Sequence, residues 1–216
     1  MILAGKVRVA GETVRRPDRS VNDAASISVE AGPDFASRGA LKLGPALERF
    51  GVDPSGRICA DIGASTGGFT DVLLRRGAAK VYAIDVGRGL IHWRLRQDPR
   101  VVVIERVNAR DLESFPEPVS LIVVDVSFIG LEKVLPALRR AAPAAEVVTL
   151  FKPQFQVGRS EVGKGGIVRD IAATEAALSR FRSWCAANGF AVRAEAASEL
   201  EGAEGNREIF LDLMPQ

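Results

Sequence analysis

The chain has 216 residues, 47% of them hydrophobic and 26% charged, with a mean hydropathy of +0.09. That composition leaves room for one full α/β domain plus a small appendage and excludes two large domains or a disordered chain. The net charge of +2, from 29 Lys and Arg against 27 Asp and Glu, is too mild by itself to announce an anionic partner.

From Lys6 to Glu30 the sequence carries short β-like stretches, Val7 to Val9, Glu12 to Val14 and Ser26 to Val29, split by Gly11 and Pro17. Lys6, Arg8, Arg15, Arg16 and Arg19 outnumber Glu12, Asp18 and Asp23, so this reads as a small basic β appendage over 1–31. Gly32-Pro33 punctuates, and a main domain is expected over 32–216. Ser37-Arg38-Gly39 opens an amphipathic helix that carries Lys42 and stops at Gly51.

After Pro54 strands alternate with helices. Strands are expected at Ile58 to Ile62, Val81 to Val86, Val101 to Glu105, Leu121 to Val126, Val147 to Phe151 and Ile209 to Leu213. Helices are expected at Gly68 to Arg76, Leu90 to Arg96, Leu131 to Ala141 and Ile171 to Ala187. Continuous apolar strands such as Leu121-Ile122-Val123-Val124 predict a buried, mostly parallel sheet with helices on both faces, an α/β Rossmann-like fold.

Cys59 and Cys185 lie inside apolar patterns far apart, which argues against a disulfide framework or a cysteine metal site and fits a reducing cytoplasm. One histidine, His92, excludes a zinc site of several His ligands and weakens any Ser-His-Asp reading, so metal chemistry could only be carboxylate-based, and no metal is assigned. There is no run of about 18 apolar residues, and Met1 to Lys6 is too short for the apolar part of a signal peptide. The expectation is a soluble protein that is not secreted.

Ligands of open α/β sheets bind at the carboxyl ends of the strands. The first central strand ends in Asp61-Ile62-Gly63-Ala64-Ser65-Thr66-Gly67-Gly68-Phe69, a glycine turn feeding a helix N-terminus. The pyrophosphate pattern G-x-G-x-x-G is absent, since Ser65 stands two after Gly63, and NAD loses ground. Asp61-x-Gly63-x-x-x-Gly67 resembles instead the first motif of S-adenosylmethionine-dependent methyltransferases. Asp85 ends the next strand, 22 residues past Gly63, where a ribose-binding carboxylate is expected. Asn108 and Asp111 offer polar groups that could edge an adenine, with turn roles equally open.

The later strand ends, Asp125 in Val-Val-Asp-Val-Ser-Phe and Lys152 in Phe-Lys-Pro-Gln-Phe, bear on the methyl acceptor. The Asn/Asp-Pro-Pro-aromatic stretch of exocyclic-nitrogen methyltransferases is absent, and neither cysteine sits where a nucleophile is needed. An oxygen acceptor remains, and a hydroxyl needs a neighbouring group to orient it and take its proton. Charged residues after apolar strands are costly unless used or paired, which singles out Asp125 and Lys152.

Taken together, Ser37-Arg38-Gly39-Ala40-Leu41-Lys42-Leu43, the Asp61 to Asp71 turn, Leu95-Arg96-Gln97-Asp98-Pro99-Arg100-Val101 and Gly163-Lys164-Gly165-Gly166-Ile167-Val168-Arg169-Asp170 look like the TlyA family of FtsJ-like ribose 2′-O-methyltransferases. The resemblance implies S-adenosylmethionine as cofactor and cytidine 2′-hydroxyls of bacterial ribosomal RNA as acceptor. It also implies an acceptor tetrad of Lys42, Asp125, Lys152 and Glu208. The cofactor set expected from the glycine turn and the strand ends is Asp61, Gly63, Ser65, Gly67, Gly68, Phe69, Asp85, Asn108, Asp111 and Asp125. Leu3 to Glu12 resembles only the latter part of that family's RNA-binding domain.

From Arg75 to Arg110 nine Lys and Arg face three acids, whereas from Phe190 to Gln216 two Arg face six acids. This polarity favours an oriented anionic partner. His92-Trp93 could stack a base or be half-buried. Gly158-Arg159-Ser160-Glu161-Val162-Gly163-Lys164 nearly spells a P-loop, but Gly165 stands where Ser or Thr must bind magnesium, so the segment reads as a mobile substrate loop. Two other readings are a small-molecule O-methyltransferase using Mg²⁺ through Asp125, and membrane lysis, since relatives of the family carry a haemolysin label. Neither an amphipathic helix of large moment nor a spanning segment supports the latter.

Overall fold

Hydrophobic strands bounded by Gly and Pro turns assemble into two sheets in the computed structural model, which describes residues 2, 7–22, 24–29, 35–202 and 204–216. Met1, Leu3 to Lys6, Asp23, Glu30 and the Gly32-Pro33 boundary lie outside the described residues. The chain divides into two compact units, Met1–Phe35 and Ala36–Gln216. In the first, β1 (Val7–Val9) pairs antiparallel with β2 (Glu12–Val14) and β3 (Ile27–Val29), and Val7, Val9 and Val14 are its buried residues.

The second unit is built on β4 (Ile58–Ile62), β5 (Lys80–Asp85), β6 (Val101–Glu105), β7 (Leu121–Val124), β8 (Glu146–Phe151), β9 (Phe190–Ala197) and β10 (Ile209–Pro215). They form one seven-stranded sheet in the order β6-β5-β4-β7-β8-β10-β9, parallel from β6 to β8, with β10 antiparallel to both its neighbours. The strand order reverses at β4, between β5 and β7, which opens a crevice at their carboxyl ends.

Alternation along the strands separates two faces. Ile62, Ile122, Val124, Phe151 and Leu211 pack with Leu135 and Leu138 of α4 (Leu135–Ala141) and with Phe181 of α5 (Ile171–Ala187). The opposite parity, including Asp61, Val123, Val148 and Phe210, faces α1 (Ala40–Phe50) and α2 (Gly68–Arg75), where the rings of Phe69 and Phe210 lie 6.1 Å apart. Continuing that parity past the strand ends puts Asp125, Lys152 and Glu208 on the α1 side. At the other end of the sheet Arg193 joins Asp212 (2.8 Å) and Glu146, and Arg57 joins Glu146 (2.6 Å), lacing β9 to β8 across β10.

Several boundaries differ from expectation. Strand β9 falls in the stretch read only as an acidic tail; its Ala, Arg and Glu residues carry little β signal, and pairing with β10 makes the strand. Helix α3 (Trp93–Gln97) begins only at Trp93, because His92 caps it by accepting from the Arg94 amide. The expected helix from Leu131 splits into a 3-10 turn, Leu131–Lys133, followed by α4, which has Pro136 in its first turn.

Candidate active site

The turn after β4 is shaped by backbone conformations that demand glycine. Gly63 has φ +82°, and a Cβ there would meet the Asp125 carbonyl oxygen at 2.4 Å. Gly67 has φ +92°, and a Cβ would meet Leu95 Cδ1 at 2.3 Å. Between them Ser65 takes φ +48°, and its amide donates to Asp85 Oδ2 (2.8 Å); the Gly87 amide donates to Asp85 Oδ1 (2.7 Å). The Asp85 carboxylate therefore binds the β4 turn to the end of β5. Asp61, fully buried, accepts at Oδ2 from the Thr70 amide (2.8 Å) and hydroxyl (2.6 Å), while its Oδ1 has no hydrogen-bond partner. Burial pushes its carboxyl up to about 7.

Two adjoining cavities, of about 880 and 850 Å³, share Gly63, Ser65 and Asp125 as a common wall. The first has apolar sides from Ile84, Val86, Leu90 and Ala109, with Asp85 and Asn108 as polar groups. The second is bordered by Lys42, Asp61, Gly68 and Phe69, and by the loop at Leu200 to Gly202. Gly67 shapes the turn without lining either. Asp111 is not brought to the cleft: it is exposed at the end of the 3-10 turn Ala109–Asp111, which presents Ala109 and Arg110 instead. Asn108 lines the cavity while its Oδ1 caps that turn by accepting from the Arg110 amide (3.1 Å).

The four residues of the expected tetrad meet as two ion pairs. Lys42 Nζ lies 2.6 Å from Glu208 Oε2, and Lys152 Nζ lies 2.5 Å from Asp125 Oδ1. Ile209 is in register with Phe151, so Glu208 and Lys152 are opposite at the next step of the same ladder. Lys42 and Asp125 face the second cavity, while Glu208 and Lys152 stand behind them, both at most 9% exposed. Ser127, which sequence reasoning left without a role, holds Lys152 Nζ at 3.0 Å through its Oγ. Its neighbour Phe128 is 91% exposed, at φ +64°, with its ring 5.1 Å from Phe155.

Other candidates resolve more plainly. Cys59 and Cys185 are buried free thiols, each pushed up to about 12 by burial, and so are unsuited to nucleophilic work. Trp93 is exposed, and its ring lies 6.2 Å from that of His92. Within the basic stretch, Arg75, Arg76, Lys80, Arg96 and Arg100 are ion-paired to acids, and Arg88, Arg106 and Arg110 are exposed.

A seven-stranded sheet of this order, with a glycine turn at its switch point and an acid ending the next strand, defines a Rossmann-like fold of the methyltransferase class. The family model described as FtsJ-like methyltransferase matches residues 35–213. The chain is 48% identical over 224 residues to the 16S/23S rRNA (cytidine-2′-O)-methyltransferase TlyA of Mycobacterium tuberculosis, covering 100% of this chain and 82% of that one. It is 43% identical to Hemolysin A of Brachyspira hyodysenteriae, covering 96% and 88%. A solved structure, the putative hemolysin from Streptococcus thermophilus, superposes with a TM-score of 0.85 at 39% identity, covering 100% and 80%. The chain belongs to the FtsJ-like methyltransferase family, and within it to the TlyA group. No helix among the described residues is long and apolar enough to cross a membrane.

Proposed function

We propose that this chain transfers a methyl group from S-adenosylmethionine to the 2′-hydroxyl of cytidine in ribosomal RNA. The observation that carries this reading is the pairing of Lys152 with Asp125 and of Lys42 with Glu208 beside the glycine turn. The cleft fits the cofactor: apolar walls suit adenine, Asp85 offers a carboxylate at a strand end, and Asp61, whose Oδ1 has no hydrogen-bond partner, is among the residues lining the second cavity.

When bound, S-adenosylmethionine supplies an electrophilic methyl on a sulfonium. Asp85, at the end of β5, holds the ribose hydroxyls, and Asn108 edges the base. Asp61, Gly63, Ser65, Gly68 and Phe69 hold the methionine side, and Asp125 stands where the two halves meet. The Lys152–Asp125 pair would orient the RNA 2′-hydroxyl and take up its proton as the oxygen gains the methyl and the sulfur–methyl bond breaks, leaving S-adenosylhomocysteine. Lys42 and Glu208 fix the opposite wall of the acceptor site. This substrate places the work of the protein in the cytoplasm, on ribosomal subunits, and the 1–31 segment is assigned to RNA contact.

Isolated ribosomal subunits incubated with radiolabelled S-adenosylmethionine test the reading. Label on a cytidine ribose supports it; label on a base, or transfer to a small hydroxyl compound and not to either subunit, overturns it.

A further inference from the structure

We propose that Asn206 is a positioning residue that fixes the 158–170 segment as an RNA-facing cationic wall at the rim of the cleft. The inference rests on the 2′-O-methyltransferase reading above.

Asn206 is 2% exposed, and both ends of its side-chain amide bond to that segment. Its Oδ1 accepts from the Val168 amide (2.9 Å) and its Nδ2 donates to the Gly166 carbonyl (2.8 Å). Its own carbonyl accepts from the Gly202 amide (2.9 Å), closing the turn whose Leu200, Glu201 and Gly202 border the second cavity. Two residues further on, Glu208 pairs with Lys42. One buried amide thus joins the acceptor wall to the 158–170 segment.

Within the segment local bonds close two 3-10 turns, Arg159–Glu161 and Lys164–Gly166, and the Gly163 amide donates to the Ile167 carbonyl (3.0 Å), while the Asn206 bonds tie the second turn to the chain leading into β10. Gly165 and Gly166 both have positive φ, +78° and +77°, and glycine loses the most conformational freedom when fixed. At Gly166 it is the positive φ that calls for glycine, since the Glu204 carboxylate near its Cβ position is exposed and can swing away. The charges on the segment are unevenly committed. Glu161 accepts from the Gly158 amide (2.7 Å), and Asp170 caps α5 by accepting from the Ala172 amide (2.8 Å). Arg159, Lys164 and Arg169 are exposed and make no ion pair among the described residues. Arg159 also borders the first cavity, as does Phe128. Three uncommitted cations on a segment tied down in this way suit a phosphate backbone: pre-ordering them lowers the entropy lost when RNA docks.

The test uses the full chain with ribosomal subunits as substrate and compares Asn206→Ala with the parent. The expected result is a KM for RNA raised about tenfold, a shallower fall of RNA affinity with salt, by roughly one to two units in the log–log slope, and single-turnover transfer at saturating RNA within about threefold. Cofactor affinity by calorimetry stays within about twofold. In a chain with Arg159, Lys164 and Arg169 all changed to Gln, Asn206→Ala adds no further loss of RNA affinity, because the tether acts through those cations. If Asn206→Ala does not fold, Asn206→Gln, which keeps a neutral amide but displaces it by one methylene from Val168 and Gly166, is read the same way. Parental transfer with an unchanged salt slope in the variant, or full additivity in the Gln background, overturns this inference alone. Absence of transfer to RNA by the parent overturns the functional reading and this inference with it.

Discussion

Lys42 Nζ and Glu208 Oε2 lie 2.6 Å apart although 166 residues separate them, so the first helix and the last strand of the methyltransferase unit meet through one ion pair. The Glu208 side chain is only 2% exposed and that of Lys42 13%, so the pair is screened weakly. Removing one partner strands the other charge in low dielectric. Lys42→Met is expected to lower unfolding free energy by about 3 kcal/mol. Lys42→Met combined with Glu208→Leu should recover part of that loss. Urea unfolding of both variants checks this, and an equal or larger loss in the double variant would show that the pair is not what couples the two elements.

Lys152 touches both Asp125 and Ser127 at the end of β8. Lys152→Ala should reduce single-turnover methyl transfer by on the order of 10²-fold or more while cofactor affinity stays within a few-fold. A parental rate at saturating RNA would make the tetrad structural and require another acceptor.

Asp85 accepts two backbone amides, from Ser65 and Gly87, and so shapes the turn; in the proposed function it also takes the cofactor ribose. Asp85→Asn should weaken S-adenosylmethionine binding about tenfold through the lost charge, and Asp85→Ala further, because the turn loosens as well. Calorimetry giving equal affinities for parent and Asp85→Ala would remove Asp85 from the cofactor site.

Asp61 supplies a pH dependence. Unfolded, it loses its proton near about pH 4; folded, burial holds the proton until about 7. Between those values the folded chain carries a proton that the unfolded chain lacks, so raising pH through this window removes stability, and the loss is complete above the folded value. In the ligand-free chain the parent should lose on the order of a few kcal/mol relative to Asp61→Asn as pH rises from 4 to 7. Denaturation profiles that run parallel over that range would contradict it.

The parallel half of the sheet is legible because β4, β5, β7 and β8 are nearly continuous apolar runs ended by a single charge or glycine, and Asp61, Asp85, Asp125 and Lys152 sit at those endings. Spacing places the glycine turn; the positive φ of Ser65 leaves no mark in the sequence. Lys42 and Glu208 become a pair only through the fold, and in the sequence they are found by family resemblance. Strand β9 and the exposure of Asp111 escape for opposite reasons: one is made by its partner strand, the other is turned outward by a three-residue 3-10 turn whose direction composition does not encode. Asn206 gives no signal at all, since a buried amide and a loop amide read alike until their partners are known.

Strand β10 enters the sheet between β8 and β9, neither of which it follows directly by a tight turn. During synthesis the nascent chain can present the glycine turn, Asp85, Asp125 and Lys152 well before residue 208 has been made. Until the β9–β10 hairpin emerges and inserts, β8 is an open edge and Lys42 lacks its carboxylate. The Lys42–Glu208 pair is therefore the last of these contacts that the order of synthesis allows, and it closes only when β10 has taken its place beside β8.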